Sequence, residues 1–531
     1  MSPLSKMDRR RFLLTSAAAA TSLRALAQSP APQTAKLTLH HDQTGPTIPA
    51  NFIGLSYETQ QLSNPDFFSP HNTGLIAQFR ALAPNGVLRI GGNTSDVGWW
   101  KPTPTSTQPP LPANVTLHTP AGEKSPMDLA YAVTPQAVIN LHHFLEATGW
   151  TCLYGINLGS STPARAAEEA KFVAKTLGFA HQGGKLEYFQ LGNEADGFPS
   201  RFRLKETWNA EAYLDDWLTA AKAVREAVPD ARFGMPDVAS KTAWFPTIAD
   251  KLAAIGKESE IAALSHHYYF TGPPSNPKAT LDNLLKTDPR VARDGEIARA
   301  AAEKLHTKFR MTEGNTCYRG GKPGMSDVFG ASLWAADYCL QLASLGYAGV
   351  NLHGGDGKAV ADSLGGRLPG DDLVTDDPAT HPHPYYTPIA HIGDKYLLEP
   401  VAYGMMFANK FSGATIIPID FDHGSVNATA YAAKHPAGHT QVAIINKDEH
   451  AEISLTLDGF KSACEHVLSA PSLTSAQVDF DHFNELSNFT FTKPEMAAAK
   501  SKKISPNCTT ESAGKLTLTV PAATAILFTL T

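Results

Sequence analysis

Residues 308–321 read KFRMTEGNTCYRGG, and this stretch carries the clearest indication of the fold. Strand-forming and apolar residues around Phe309 and Met311 lead directly to Glu313, and a loop containing Gly320 and Gly321 follows. A strand that ends in a carboxylate and opens into a glycine-containing loop is how a barrel enzyme presents a reactive side chain. A single glutamate at a strand end is more often a surface residue. A function can therefore be assigned to Glu313 only if the sequence also predicts a barrel around it and a second carboxylate beside it.

The rest of the first four hundred residues repeats the pattern of a strand followed by a helix. Predicted strands end near residues 57, 90, 158, 191, 237, 270, 312 and 352. Among the predicted helices are Pro135–Thr148, Pro163–Leu177 with Thr162 as its cap, 326–345 and 396–410. This alternation predicts a (β/α)8 barrel over residues 51–412. An open doubly wound sheet is the alternative, but no strand is followed by a dinucleotide-type glycine loop.

From residue 413 to 531 the pattern changes to short alternating strands with turn residues between them. No strong helical segment interrupts them, so an all-β sandwich is predicted as a second domain. Residues 28–50 are expected to form a linker and a strand, KLTLH, that joins this sandwich. The five cysteines contain no CxxC pair, which argues against a structural zinc site. Cys464 and Cys508 fall in the same region, and a disulfide between them is one possibility in an oxidising compartment.

The ends and the composition limit where the protein acts and what it binds. Residues 1–27 resemble a twin-arginine signal peptide, with RRRFLL at 9–14 and a small-residue cleavage site at Ala25-Leu26-Ala27. A bacterial protein exported to the periplasm or secreted is expected. The net charge of -6, without a basic block, disfavours binding to nucleic acid or to sulfated polymers. No segment is long and apolar enough for a membrane span.

Two carboxylates are expected to meet at one rim of the predicted barrel. The fourth strand ends in Asn193 and Glu194, and the seventh ends in Glu313. Two carboxylates that face one cavity are the catalytic pair that glycoside hydrolysis requires. One must stay protonated to donate to the leaving oxygen, while the other must be ionised to attack the anomeric carbon.

Neighbouring strand ends offer supporting residues and exclude other chemistries. Arg89, near the end of the second strand, is a candidate for holding a nucleophilic carboxylate ionised, although a structural salt bridge is an equal possibility. Tyr269, near the end of the sixth strand, is a candidate donor to Glu313. The adjacent His266 and His267 are expected to point to opposite faces and to bind no metal together. Serine hydrolysis has no support, because the GxSxG motif is absent.

Four segments together resemble glycoside hydrolase family 79: GVLRIGGN (86–93), QLGNEADG (190–197), ALSHHYYF (263–270) and TEGNTCYRGGKPGMSDVFGASLWAADY (312–338). That family contains β-glucuronidases and heparanases, within a clan of retaining barrel enzymes whose acid/base glutamate follows an asparagine. The resemblance covers the predicted barrel and sandwich, and the last segment is its most specific part.

The resemblance implies a role for each residue of the site. Glu194 would be the acid/base and Glu313 the nucleophile. The implied substrate contacts are Asn193 on the sugar 2-hydroxyl, Tyr269 on the nucleophile, Glu58 and Asn93 on the sugar, and Tyr318, Arg319, Gly320 and Tyr386 around its carboxylate. The family often has three successive glycines where this chain has Arg319-Gly320-Gly321. The second carboxylate-binding tyrosine is expected to be Tyr386, with Tyr385 nearly as good a match.

The sequence therefore predicts an exported, retaining exo-β-D-glucuronidase that acts on glucuronides or glucuronic-acid-containing glycans and needs no metal or organic cofactor. An endo-acting, heparanase-like enzyme is the first alternative; the proline-rich loop 100–126 is expected to close one side of the site against it. A barrel glycosidase for a neutral sugar is the second alternative. A carbohydrate-binding protein on an inactive barrel is the third, and the presence of both glutamates argues against it.

Overall fold

A computed structural model describes residues 32–367, 383–483, 507–510 and 515–531. The predicted signal segment, residues 1–27, lies outside these ranges. None of the helices within them combines the length and apolar character that crossing a bilayer requires.

The first part of the chain alternates strands and helices. The strands are β1 (Gln33–Leu39), β2 (Ile53–Glu58), β3 (Val87–Gly91), β4 (Gly98–Trp100), β5 (Tyr131–Val133), β6 (Thr151–Ile156), β7 (Leu186–Leu191), β8 (Phe233–Val238), β9 (Ile261–Thr271), β10 (Lys308–Cys317) and β11 (Val350–Gly354). The helices are α1 (Thr73–Leu82), α2 (Pro135–Thr148), α3 (Pro163–Leu177), α4 (Ala210–Ala227), α5 (Trp244–Ala254), α6 (Leu281–Leu284), α7 (Pro289–Lys304), α8 (Phe329–Ser344) and α9 (Gly357–Ser363).

Eight of these strands close into a parallel barrel in the order β10-β11-β2-β3-β6-β7-β8-β9. Every residue of β2, β3 and β8 is buried, because parallel strands are covered by helices outside and by packed side chains inside. Helices α2 and α3 begin at a proline preceded by a threonine whose hydroxyl accepts a backbone N–H, as their sequences predict. The (β/α)8 prediction is confirmed.

Helices α1 and α8 and the helix Pro400–Asn409 differ from what the sequence predicted. Helix α1 was not predicted, although Asn72 caps it and Leu75, Ile76, Phe79 and Leu82 form its buried face. Helix α8 begins at Phe329 rather than at residue 326, because the Ser326 hydroxyl is engaged by Thr316 and by the Lys322 backbone. The segment expected to be helical from residue 396 first forms a hairpin strand, and the helix starts only at Pro400.

The remaining elements are mostly antiparallel strands. They are the hairpin β12 (Ile389–Ile392) and β13 (Lys395–Leu398), helix α10 (Pro400–Asn409), and the strands β14 (Thr415–Ile417), β15 (Ile419–Asp422), β16 (Ala428–Lys434), β17 (Thr440–Asn446), β18 (Ile453–Asp458), β19 (Ser462–Ser469), β20 (Asp479–Phe480), β21 (Cys508–Thr510), β22 (Lys515–Val520) and β23 (Thr524–Leu530). One sheet has the order β15-β1-β18-β22, and a larger one the order β14-β16-β17-β23-β19-β20, with β21 on β19.

The two sheets enclose their own apolar core, formed by alternate residues such as Leu455, Leu518, Ile444 and Phe528. This arrangement agrees with the predicted all-β sandwich, and β1 pairs with β15 and β18 as the KLTLH strand was expected to do. Cys464 and Cys508 form a disulfide between β19 and β21.

A buried polar cluster joins helix α8 of the barrel to β16 and the end of β17. Asp337 accepts hydrogen bonds from Thr429 at 2.7 Å and Tyr431 at 2.5 Å, and it pairs with Lys447 at 2.5 Å. The Lys447 side chain is only 1% exposed. Its charge is therefore tolerated because Asp337 neutralises it.

Replacement of Asp337 by alanine should therefore destabilise the protein by about 3 kcal/mol, since it leaves a buried ammonium unpaired. Thermal unfolding of the variant is expected to begin at a clearly lower temperature. Asp458→Ala is the matched control: it breaks the exposed pair with Lys515 and should cost about 0.5 kcal/mol or less. Equal melting temperatures for the two variants would contradict the role assigned to the cluster.

Candidate active site

Glu194 and Glu313 meet at the carboxyl-terminal rim of the barrel. Glu313 lies within β10, where the pairing register with β9 shifts between Met311 and Glu313, an irregularity of the kind that re-aims a side chain. Glu194 directly follows Asn193 after β7 and adopts a left-handed backbone, φ 46°. A carboxylate oxygen of Glu194 and one of Glu313 lie within 4.8 Å of each other. The structure thus brings together the two carboxylates that the sequence singled out.

Cationic groups and one hydroxyl surround Glu313. Arg89 Nη1 donates to its Oε2 at 2.5 Å, and Tyr269 donates to its Oε1 at 2.9 Å. Nδ1 of His353 lies 3.6 Å from Oε2. Burial alone would raise the pKa of Glu313, but the positive charge at His353, His267 and Arg89 and the Tyr269 hydrogen bond lower it to about 2. Glu313 is therefore ionised at neutral pH.

Glu194 has the opposite electrostatic environment. Burial raises the pKa of its carboxyl group, and Glu313 raises it further by like-charge repulsion. One hydrogen-bond partner, Nδ1 of His267 at 2.9 Å from Oε1, works against this shift. The side chain remains 24% exposed, so it can exchange protons with solvent or substrate. The two glutamates thus have pKa values pushed apart, as an acid and a nucleophile require.

Asp237, at the end of β8, contacts several of the groups that surround the two glutamates. Its carboxylate accepts hydrogen bonds from Arg89, Thr312 and Gln190, the last at 2.8 Å. The Nε2 atom of His267 lies 3.2 Å from it. Burial lowers the pKa of His267, but Asp237 and Glu313 outweigh this and raise it to about 10. His267 is therefore an imidazolium held between Asp237 and Glu194.

Glu194, His267 and Glu313 have the residue types and the spacing of a metal-ligand set. The chemistry around them opposes a cation, because the Arg89 guanidinium already neutralises Glu313 and His267 is protonated. A protonated imidazole has no lone pair to offer a metal.

Glu58 and Asn93 line the cavity, whereas Asn193, which was expected to contact the sugar, lies next to Asn93 but is not among the described residues that line it. Asn193 accepts from Arg89 at 2.6 Å and donates to the Asn93 side-chain oxygen at 3.2 Å. Glu58 accepts from the backbone and hydroxyl of Thr94 at 3.0 and 2.7 Å. A Cβ at Gly92 would lie 2.2 Å from the Glu58 carboxylate, so only glycine leaves room for this side chain.

Tyr318, Arg319 and Tyr386 also line the cavity. Arg319, Gly320 and Gly321 have φ values of 64°, 86° and 88°, which explains why glycine suits this turn. A Cβ at Gly321 would lie 2.6 Å from the Tyr386 backbone nitrogen, so the close approach of the two loops depends on that glycine. Tyr386 is buried and lines the cavity; Tyr385 and Gly320 are not among the described residues that line it.

The cavity as a whole has a volume of about 440 Å³. It contains several residues that the sequence did not indicate, namely Glu123, Arg201, Ser240, His267, Arg290, Arg293, Asp294, Ser363 and His353. His353 could have been inferred from the sequence because it directly follows a predicted barrel strand, and Asp237, which is not among the described residues that line the cavity, because it ends one. His267 could have been inferred from strand alternation, which places it on the same face as Tyr269.

No family model matches the chain. It is similar to a β-glucuronidase of Aspergillus niger, with 28% identity over 314 residues, and to a β-glucuronidase of Neurospora crassa, with 24% identity over 352 residues. These alignments cover 55% of both chains in the first case and 59% in the second. The chain therefore spans a little over half the length of these curated relatives.

Solved structures share the architecture. A 4-O-α-L-rhamnosyl-β-D-glucuronidase from Fusarium oxysporum matches with a TM-score of 0.66 and 18% identity, over 94% of this chain and 100% of the other. A GH51 arabinofuranosidase from Xanthomonas axonopodis matches with a TM-score of 0.61 and 16% identity, with the same coverage. At these identities the likeness establishes the fold.

Proposed function

We propose that the protein is a retaining exo-β-D-glucuronidase of glycoside hydrolase family 79, acting on terminal β-linked glucuronic acid. The observation that carries the proposal is the pair Glu194 and Glu313, with carboxylate oxygens within 4.8 Å and oppositely shifted pKa values. Retaining enzymes hold their carboxyl groups about 5 Å apart, whereas inverting enzymes leave room for a water molecule between them. The names of the two sequence relatives support glucuronide as the substrate. The predicted signal segment supports export as part of the same proposal.

The mechanism follows from the protonation states. Protonated Glu194 gives its proton to the glycosidic oxygen as ionised Glu313 attacks the anomeric carbon, so the leaving group departs and a glucuronyl–Glu313 ester forms. Glu194 then takes a proton from water, whose oxygen attacks the same carbon and releases Glu313. Arg89, Tyr269 and His353 stabilise the Glu313 carboxylate before attack and after release. No cofactor enters these steps.

Exo action is supported by the loop between β4 and β5. Its backbone bonds to residues 201, 202 and 365, and Glu123 pairs with Arg201 at 3.3 Å on the cavity wall. Asn93 and Ser363 continue the same wall. A polymer would need an open path on both sides of the scissile bond, and this wall obstructs one of them.

Recognition of the sugar carboxylate is assigned to three residues that line the cavity: Tyr318, Tyr386 and the backbone N–H group of Arg319. A hydrogen bond to a charged group contributes about 1.5–3 kcal/mol, so Tyr386→Phe should raise KM for an aryl glucuronide by about tenfold or more. The same variant should not lose activity on the corresponding aryl glucoside. Tyr385→Phe is the matched control and should leave KM for the glucuronide within about twofold. An equal loss on both sugars for Tyr386→Phe would contradict carboxylate recognition.

Activity should fall as pH rises through the raised pKa of Glu194, because proton donation requires the protonated carboxyl group. On the acid side the limit set by Glu313 lies near its pKa of about 2, below which the nucleophile is protonated. The pH dependence of kcat/KM on an aryl glucuronide, measured over the pH range in which the protein stays folded, gives both the acid and the alkaline limb. An alkaline limb unchanged in Glu194→Ala would show that another group controls it.

The direct test is hydrolysis of aryl glycosides that differ only in the sugar. The proposal requires turnover of the β-D-glucuronide and a product that is first released as the β-anomer. Preference for a β-xyloside or an α-arabinofuranoside would instead favour a barrel glycosidase for neutral sugars. Large early products from a glucuronic-acid-containing polymer would favour endo action.

A further inference from the structure

A second cavity, of about 390 Å³, lies at the amino-terminal end of the barrel, opposite the rim that carries Glu194 and Glu313. Several of its lining residues are among the first three of their barrel strands: Val87 on β3, Leu153 on β6, Tyr188 on β7, Ala263 on β9, and Lys308 and Arg310 on β10. It shares no described lining residue with the active-site cavity. The hydrolytic steps therefore leave this second cavity unused.

Arg310 is a buried cation that no carboxylate pairs with in the part of the chain that the structure describes. The residue is 5% exposed. Its guanidinium donates to three neutral oxygens, which are Oδ1 of Asn351 at 2.7 Å and the backbone oxygens of Ala348 at 3.1 Å and Phe52 at 3.4 Å. A guanidinium has five N–H donors, so these three bonds leave part of its capacity for a further acceptor.

Arg89, which is buried in the same barrel, has a different environment. Burial lowers the pKa of its guanidinium, but the carboxylates that pair with it, Asp237 and Glu313, outweigh burial and raise the pKa. At Arg310 burial is again the largest influence, and nearby groups offset it only in part, so the pKa is lowered. An anion beside Arg310 would supply the compensating charge, because buried charges are stable when they are paired.

The hydroxyl of Tyr188 is a second donor in this cavity that no described residue engages. Tyr188 is 7% exposed, and its hydroxyl oxygen is buried without a hydrogen bond. Burial raises the pKa of this hydroxyl above its usual value, and the positive charge of Arg310 is the strongest opposing influence. The hydroxyl is therefore protonated at neutral pH and lies in the electrostatic field of Arg310. A buried hydroxyl without a partner is unfavourable, which makes Tyr188 a donor for a ligand.

The other charged residues of the cavity give it an excess of positive charge. The exposed side chains of Lys308 and Arg232 line it together with Arg310, and no described carboxylate forms an ion pair with either of them. Glu187 is the one carboxylate among the described lining residues. Its Oε1 atom accepts from Thr151 at 2.8 Å, and the printed hydrogen bonds leave its Oε2 atom as an acceptor. Three cations and one carboxylate attract a multiply charged anion.

Inorganic phosphate has the chemistry that these groups match. It carries more than one negative charge near neutral pH, and its oxygens accept from guanidinium, ammonium and hydroxyl donors. It also keeps a hydroxyl of its own, which can donate to a carboxylate such as Glu187. Sulfate has the same shape but no hydroxyl at neutral pH, so the Glu187 carboxylate would repel it.

We propose that this cavity binds inorganic phosphate, with Arg310, Lys308 and Tyr188 donating to its oxygens and Glu187 accepting from its hydroxyl. Closure of the barrel brings these residues of β7 and β10 to one cavity, so phosphate should bind the folded chain and not the unfolded one. Phosphate should therefore raise the melting temperature in a concentration-dependent way. This binding is independent of the proposed hydrolysis, because the two cavities have separate lining residues.

Isothermal titration calorimetry of the full chain with sodium phosphate at pH 7, at an ionic strength held constant with sodium chloride, measures the binding. We expect one saturable site per chain. Sodium sulfate should bind at least about tenfold more weakly, because a site that accepts a hydrogen bond from its ligand discriminates against an analogue without the donor. The melting temperature should rise with phosphate and stay unchanged when sodium chloride replaces it at equal ionic strength.

Tyr188→Phe removes one donor and keeps the aromatic ring. Phosphate should bind about tenfold more weakly or worse, since a hydrogen bond to a charged group is lost. The melting temperature in phosphate-free buffer should not fall, because the hydroxyl has no partner among the described residues. Tyr213→Phe is the matched control: Tyr213, on α4, also has a buried hydroxyl without a described partner, and it does not line this cavity. It should leave the phosphate affinity within about twofold of wild type.

Two further variants test the charges. Lys308→Ala should weaken phosphate binding by about fivefold, whereas Lys171→Ala, which removes an exposed lysine from α3, should change it less than about twofold. Glu187→Gln keeps the size of the side chain and removes the charge that rejects sulfate. In this variant the dissociation constant for sulfate should approach that for phosphate.

The absence of saturable phosphate binding to the wild-type chain would overturn the proposal. Unchanged phosphate affinity in both Tyr188→Phe and Lys308→Ala would also overturn it, because the ion would then bind elsewhere. Sulfate that binds wild type as tightly as phosphate would overturn the role of Glu187 and with it the choice of phosphate. A weaker affinity in Tyr188→Phe, with an unchanged melting temperature in phosphate-free buffer, would uphold the contact between the hydroxyl and the ion.

Discussion

Glu313→Ala should lower kcat on an aryl β-D-glucuronide by about 10⁴-fold or more, the scale of losing a covalent nucleophile. The carboxylate that forms the ester would be gone, while Arg89, Tyr269 and His353 would remain without their shared partner. Steady-state kinetics measure the loss. Azide, a small anion that fits the vacated space, should restore turnover and give the α-glucuronyl azide, since it attacks the face that Glu313 occupied.

Glu303→Ala provides the control, because Glu303 is an exposed glutamate on α7 and its loss should leave kcat unchanged. The melting temperature of Glu313→Ala separates loss of chemistry from loss of folding. Retention of near wild-type activity, or a trapped glucuronyl adduct on a residue other than Glu313, would falsify the nucleophile assignment.

Glu194→Ala should reduce kcat by about 10²–10⁴-fold on a substrate with a poor leaving group, the usual contribution of a general acid. The loss in the first step should be much smaller for a leaving group as acidic as dinitrophenol, because such a group departs without a proton. Turnover would then be limited by hydrolysis of the ester, since Glu194 also activates the water. Azide needs no base, so it should restore turnover and give the β-glucuronyl azide.

The dependence on leaving group distinguishes a lost acid from a distorted site. Glu194→Gln keeps the size of the side chain and should show the same dependence. A uniform loss on good and poor leaving groups, without azide rescue, would instead mean that Glu194 only positions other residues.

Local signals in the sequence were sufficient for most of the barrel. Helices α2 and α3 match their predicted bounds because each has a capping threonine, a proline in its first turn and a glycine directly after it. The start of α8 did not match, because the hydrogen bonds of Ser326 with Thr316 and Lys322 involve residues outside the predicted helix.

In the candidate site, too, some residues were predicted from local sequence and others were not. Glu194, Glu313, Arg89 and Tyr269 were recognised from their places at strand ends. The contribution of Asp237 was not, because it consists of contacts with Arg89, Gln190, Thr312 and His267 from four other strands.

By itself the sequence determined the order of the eight barrel strands, the positions of the two glutamates at strand ends and the resemblance to glucuronidases, because periodicity, caps and short motifs are local properties of a chain. The tertiary structure alone decided the approach of Glu194 to within 4.8 Å of Glu313, the opposite shifts of their pKa values and the choice of Tyr386 over Tyr385 on the cavity wall. Each of these depends on burial and on charges from strands that are distant in sequence, and closure of the barrel is what brings them together.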